Sequence, residues 1–236
     1  MLGAAVVPIT SCTMHLVCRE VWCIGYVRLV SMAQRERQEL VGAMAAAGPD
    51  APTLCGRWTV RDLAAHLIVR ERRPDASGGI MIKALAGHLE RVQNRTAAKP
   101  FPELLDLVRT GPPLWSPLKP FDAVANMTEM FIHHEDVRRA APDWEPRELS
   151  AEDEAKLWST LRRMGRMSYR KAAVAVALET PDGQRAVVKS GPGPEVTLIG
   201  KPSELTLHAF GRDEVRIETR GDADAVRTVL ELDRSV

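Results

Sequence analysis

The sequence predicts an α+β chain, a bundle of helices followed by a small unit of strands and helices. Two observations carry that expectation. Up to Met167 the apolar residues recur at helical spacing between proline- and glycine-rich breaks, and after Arg170 the period becomes extended. The chain has 236 residues, 45% of them hydrophobic, enough to bury a core without staples.

Residues 1–31 stand apart. They hold Cys12, Cys18 and Cys23, three of the four cysteines, in irregular apolar sequence. Pro8 interrupts the run and no basic residue precedes Arg19, unlike a secretory signal. Arg19 and Glu20 break the apolar length that a spanning helix needs. At Met32 the chain changes to Met-Ala-Gln-Arg-Glu-Arg-Gln-Glu-Leu, which reads as the start of a cytosolic helix. Residues 1–31 are therefore expected to be a non-native upstream extension or a disordered leader, from a start codon assigned too far upstream; an intact mass that includes them would refute this. Cys55 then stands alone, without an internal disulfide partner, and the expected compartment is reducing cytoplasm.

Residues 33–47 carry Leu40, Val41 and Met44 at helical spacing, and Gly48-Pro49-Asp50-Ala51-Pro52 stops them. Thr59 followed by Asp62 forms a capping-box-like start for a second helix over 60–72, whose inward stripe is Leu63, His66, Leu67 and Arg70. Pro74 and Ser77-Gly78-Gly79 form a break. Helices are expected over 84–95, 102–109, 121–140 and 150–167, with residues 112–120 as a loop. Beyond them come strands over 172–180 and 185–189 joined by Pro181-Asp182-Gly183, then strand 196–199, helix 202–210, strand 214–219 and helix 223–232. The domain boundaries follow as a bundle over 32–168 and an α+β unit over 170–236, packed against each other.

Thirty-two basic and thirty-one acidic residues are interspersed, and aromatics make up 5%. No polybasic stripe or stacking platform argues for nucleic acid or a membrane surface, so a small molecule or a protein is the expected partner.

The chemistry concentrates in residues 126–140. On a helix turning about 100° per residue, Glu129, His133 and Asp136 share a face, while His134 is swung about 100° away. A carboxylate and an imidazole so placed hold a divalent metal only loosely, since a catalytic zinc takes three protein ligands plus water. His66, on the inward stripe of the second helix, is the candidate third ligand.

The pattern Trp58-Thr-x-x-Asp62-Leu-x-x-His66 with the later Glu129-x-x-x-His133 resembles the mycothiol-dependent maleylpyruvate isomerase N-terminal domain, a branch of the DinB-like metal-binding bundles. Residues 85–91 and 133–139 look most like an actinobacterial subfamily described only as metal-binding. The resemblance covers residues 32 to about 168. It implies a DinB-like four-helix bundle followed by a small sterol-carrier-like α/β C-terminal unit, with His66, Glu129 and His133 as zinc ligands and a fourth position for water or a thiolate. The metal would lower the pKa of a bound thiol such as mycothiol and polarise a carbonyl. Asp136 would then fix a ligand histidine by a hydrogen bond, and Arg212 would steady a substrate carboxylate if the C-terminal unit closes over the bundle. Zinc is preferred only weakly over iron or nickel.

Plainer readings stand beside these. His66 or His133 alone would be a hydrogen-bonded core histidine; it is their combination with Glu129 and the Trp58 motif that favours a metal. His134 is expected to pair with Glu135 or the following arginines, His88 to be an ordinary helix residue, and Asp62 to be a cap. Cys55 is read as a small buried hydrophobe, Arg212 as solvated, and His208 and residues 161–166 as surface. Two functions remain: a mycothiol-dependent isomerase or S-transferase with a metal-activated thiolate, or a non-catalytic metal- or small-molecule-binding protein of the same fold.

Overall fold

The computed structural model describes residues 30–80, 82–113 and 122–234. The chain divides into two units, Met1–Ser31 and Met32–Val236. The expectation for residues 1–31 falls almost wholly outside the described residues, as does most of the proline-rich loop over 112–120. Within Met32–Val236 the protein is mixed α and β. The described residues form nine α-helices and a four-stranded sheet, and none of the helices is long and apolar enough to cross a membrane.

Helix α1 (Met32–Ala47) turns Leu40, Val41 and Met44 inward and ends where Gly48 adopts a φ of +87°. Helix α2 (Val60–Arg72) begins with a complete capping box. The Thr59 side chain accepts from the Asp62 backbone, and the Asp62 side chain accepts from the Thr59 backbone. Its face of Val60, Leu63, Ala64 and Leu67 is fully buried in one cluster with Leu40, Val41 and Met44 of α1 and Leu104 and Val108 of α5. Each such leucine contributes about 1.5–3 kcal/mol relative to exposure. The expected break after α2 instead contains α3 (Pro74–Ser77) and two single 3₁₀ turns, because Pro74 can still occupy the first turn of a helix. Helices α4 (Ala86–Ala97) and α5 (Phe101–Thr110) pack on α2.

Helix α6 (Asp122–Arg138) lies along α1. Met130 and Val137 join the α1–α2 core, whereas Met127, Phe131 and Ile132 face a second cluster with Leu157 and Leu207. A helix buried on opposite sides must pair its polar residues, and Asn126, His133, His134, Glu135 and Asp136 are all buried.

Helix α7 (Ala151–Ser168) starts at Ser150, whose hydroxyl accepts from the Asp153 N–H at 3.1 Å. It carries Trp158 and Leu161 into a core with the sheet. Strands β1 (Ala175–Glu179), β2 (Arg185–Lys189), β3 (Glu195–Ile199) and β4 (Glu218–Arg220) are ordered β2-β1-β3-β4. β1 is antiparallel to β2 and parallel to β3, and β3 is antiparallel to β4. Helices α8 (Pro202–Ala209) and α9 (Ala223–Leu230) complete this part.

The fourth strand is shorter than the expected 214–219. Its first residues are bonded elsewhere, the Glu214 carbonyl accepting from Arg139 at 2.6 Å and the Arg216 N–H donating to Glu204 at 2.7 Å. His208 is a second departure. It is 1% exposed rather than at the surface, its Nδ1 lies 2.7 Å from the Tyr169 hydroxyl, and burial with nearby Arg234 pushes its pKa down to about 3. In the 161–166 segment the arginines are exposed, but Leu161 and Gly165 are buried.

Candidate metal centre

Two helices supply the centre. The capped start of α2 fixes its rotation, so that His66 and Arg70, one turn apart, face α6. From α6 come Asn126, Glu129, His133 and Asp136. The Oε1 atom of Glu129 is the focus: His66 Nε2 lies 3.7 Å from it, His133 Nε2 3.3 Å and Arg70 Nε 3.3 Å. The His66 and His133 rings meet edge to face with centroids 5.7 Å apart, and Trp58 packs on His66 at 4.9 Å.

On the other side of the His133 ring, Nδ1 donates to Asp136 Oδ2 at 2.8 Å. That bond fixes the ring and leaves Nε2 to Glu129. Asp136 has no exposed surface, and it accepts from Arg212 Nε at 2.7 Å, Arg212 Nη2 at 2.6 Å and the Cys55 thiol at 3.0 Å. Arg212 is thus ion-paired rather than solvated. Cys55 sits among charges rather than as a simple hydrophobe, with Sγ 3.7 Å from His133 Nδ1 and 3.8 Å from Arg212 Nη2. Its loop is tied to α6 by the Leu54 N–H, which donates to the Asp136 carbonyl at 3.0 Å.

The electrostatics follow from these contacts. Burial opposes the charge on Glu129, but His133, His66 and Arg70 outweigh it and hold the carboxyl well below its usual range. Burial likewise opposes protonation of His133, yet Asp136, Cys55 and Glu129 together raise its pKa well above the ordinary histidine value. His66 moves the other way, lowered by burial, which Glu129 only partly offsets. Burial also penalises the Asp136 carboxylate, and His133 and Arg212 override it, keeping Asp136 ionised.

Three groups among the described residues bring candidate ligand atoms within 4.8 Å of one another: His66 with Glu129 and His133; Cys55 with His133 and Asp136; and Glu36, Glu39 and His134. A guanidinium already fills the role of cation in the second and third. Arg212 spans both oxygens of Asp136, and Arg147 pairs with Glu36 at 2.8 Å and Glu39 at 2.9 Å. In the first group both imidazoles present Nε2 to one carboxylate oxygen. A His₂Glu donor set of this kind fits zinc or a similar divalent metal.

His134 is paired differently from the sequence expectation. Its Nδ1 lies 2.9 Å from Glu36 on α1, while Glu135 bonds Arg138, Arg139 and Arg147. Arg139 continues the network by a two-pronged bond to Glu204 of α8 at 2.9 and 2.5 Å. Three contributors to the centre were not assigned a part in it from the sequence, Cys55, Arg70 and Asn126. Arg70 had a signal, since it lies four residues after His66 on the same stripe; nothing in the spacing pointed to Cys55.

No curated protein and no solved structure matches the chain. Residues 31–74 match the family description Mycothiol maleylpyruvate isomerase N-terminal domain. That span includes α1, the Thr59 cap, Cys55, His66 and Arg70; Glu129, His133 and Asp136 lie beyond it. The match falls on the stretch whose Trp58, Asp62 and His66 pattern resembles that same family.

Proposed function

We propose that the protein is a thiol-dependent metalloenzyme of the isomerase or S-transferase type, in which His66, Glu129 and His133 hold a divalent metal, zinc. The observation that carries this reading is the approach of two imidazole Nε2 atoms to one oxygen of Glu129, at 3.7 and 3.3 Å. The family match supports a low-molecular-weight thiol, mycothiol, as co-substrate, and with it a cytoplasmic setting. Helices α1, α2, α5 and α6 are taken as the DinB-like four-helix bundle, and the strands with α8 and α9 as the sterol-carrier-like unit.

The bound metal would supply Lewis acidity, lowering the pKa of a thiol in its open position. The protein's own residues do the positioning. Asp136 holds the His133 ring by its Nδ1 proton, and Arg212 holds Asp136. Arg212 therefore acts on the centre through Asp136, with both Nε and Nη2 committed to that carboxylate.

Metal analysis of the purified full chain by mass spectrometry, with calorimetric titration of mycothiol, tests the reading. The expected result is one divalent metal per chain, lost in His66→Ala and Glu129→Gln, and thiol binding that disappears with the metal. A wild type that retains no divalent metal, or a His66→Ala variant with undiminished metal, would defeat it. Metal retention without thiol binding would instead favour a non-catalytic binding protein of the same fold.

A further inference from the structure

We propose that the C-terminal half of α7, with the adjoining end of β2, is a docking surface for an acidic segment of another protein that also carries apolar side chains.

From Leu157 to Lys171 the sequence contains no Asp or Glu, while Arg162, Arg163, Arg166, Arg170 and Lys171 crowd its second half. The four arginines are exposed. Spacings of three and four residues put them about one helical turn apart, where like charges destabilise a helix. Arg162, Arg163 and Arg166 form no ion pair among the described residues, and Arg170 donates to the Met167 carbonyl at 2.7 Å rather than to a carboxylate. Lys171 does have a carboxylate, that of Asp233 at 2.8 Å. Strand β2 adds a further cation. Gly165 lets the strand lie close, since a Cβ there would come within 2.7 Å of Val188 Cγ1, and the Lys189 ammonium donates to the Arg170 carbonyl at 3.1 Å. The attraction of a helix C-terminus for cations is confined to the last turn, so it accounts for Arg166 but not for Arg162 and Arg163.

Apolar side chains stand among these charges. Met164 is 40% exposed and Met167 57%, and Met167 lies about one turn from both Arg163 and Arg170. Four arginines along about 12 Å of chain call for several carboxylates, each able to take a guanidinium fork, with an apolar group between them for the methionines. The chain's own remaining segments do not supply this. Residues 1–29 hold Glu20 as their single acid, beside Arg19 and Arg28, and residues 114–121 hold none. Arginine and methionine are enriched in protein interfaces, and methionine adapts to varied apolar partners. A membrane-surface helix would present Trp, Phe or Leu, and a nucleic-acid strand would need aromatic platforms. Here Trp158, Leu161 and Tyr169 are all buried.

The test is fluorescence anisotropy on the full chain, with a labelled peptide of Glu, Asp and Leu and a second peptide in which Ser replaces Leu. Binding of the Leu peptide is expected to weaken several-fold between about 50 and about 200 mM salt. Arg163→Glu combined with Arg166→Glu should weaken it about tenfold, and Met167→Ser about threefold, with affinity for the Ser peptide unchanged by Met167→Ser. No binding by the wild type overturns the proposal, as does undiminished binding in the double charge reversal. An effect of Met167→Ser that is equal for the two peptides, zero included, overturns it as well. Tighter binding of phosphatidylglycerol vesicles or of duplex DNA than of the Leu peptide would assign the surface to a membrane or to nucleic acid, and so refute it. If the charge reversal fails to fold, Arg163→Gln with Arg166→Gln takes its place, with a loss of about threefold expected and unchanged binding again refuting the proposal.

Discussion

Replacing Asp136 by asparagine separates the two duties of this carboxylate. Both of its oxygens face donors, from Arg212, His133 and Cys55, in a position with no solvent exposure. Asparagine has a single acceptor oxygen, so its amide nitrogen must oppose at least one of those donors, and the Arg212 guanidinium loses its counter-ion. Removing one partner of a buried ion pair costs about 3–5 kcal/mol. Removing the partner of a metal-ligating histidine lowers metal affinity about 10–100-fold. Urea unfolding of the metal-free full chain reads the first effect, and competition with a chelator reads the second. In the double variant Asp136→Asn with Arg212→Gln the stranded charge is gone, so part of the lost stability should return while metal affinity stays low. A stability loss below about 1 kcal/mol in Asp136→Asn, or strictly additive losses in the double variant, would refute the account of Asp136 as the shared partner of Arg212 and His133.

Three further outcomes are expected. Arg139→Met should destabilise the protein by about 3–5 kcal/mol in urea unfolding, because it strands the buried Glu204 carboxylate that Arg139 grips with two nitrogens. His208 titrates at about 3 when folded and at 6.5 as the free side chain, so between those values the unfolded chain binds the extra proton. Stability should therefore fall as pH drops from 6.5 towards 3, by about 1.4 kcal/mol per pH unit from this group, and His208→Gln should remove that part of the slope in unfolding measured across the window. Thr59→Ala should cost about 1 kcal/mol in thermal or urea unfolding, through loss of the cap on α2.

What was legible in the sequence was local. The cap at Thr59 and Asp62 announced α2, and the four-residue step from Glu129 to His133 set two side chains on one face. The apolar period changed where the sheet begins. What stayed hidden depends on contacts between distant segments. Arg212 meets Asp136 across 76 residues, and Glu36 meets His134 across 98. A buried histidine such as His208 leaves no periodic mark, so the sequence placed it at the surface. The short β4 has the same cause, since alternation suggests a strand over 214–219 but says nothing of Arg139 and Glu204 claiming its backbone. The polar residues on every side of α6 also obscured how deeply that helix is buried, because their partners lie on other elements.

The pairing of Asp136 with Arg212 has a consequence for biosynthesis. Translation at about 5–20 residues per second separates the two by about 4–15 s. During that interval the helix bearing the candidate centre has been synthesised while the cation that neutralises its buried aspartate has not. Glu204, the counter-ion of Arg139, also comes late, 65 residues after it. The centre therefore takes its final electrostatic form only after the C-terminal part of the chain has been synthesised and has docked, so a prematurely terminated chain keeps the ligands but lacks the charges that settle them.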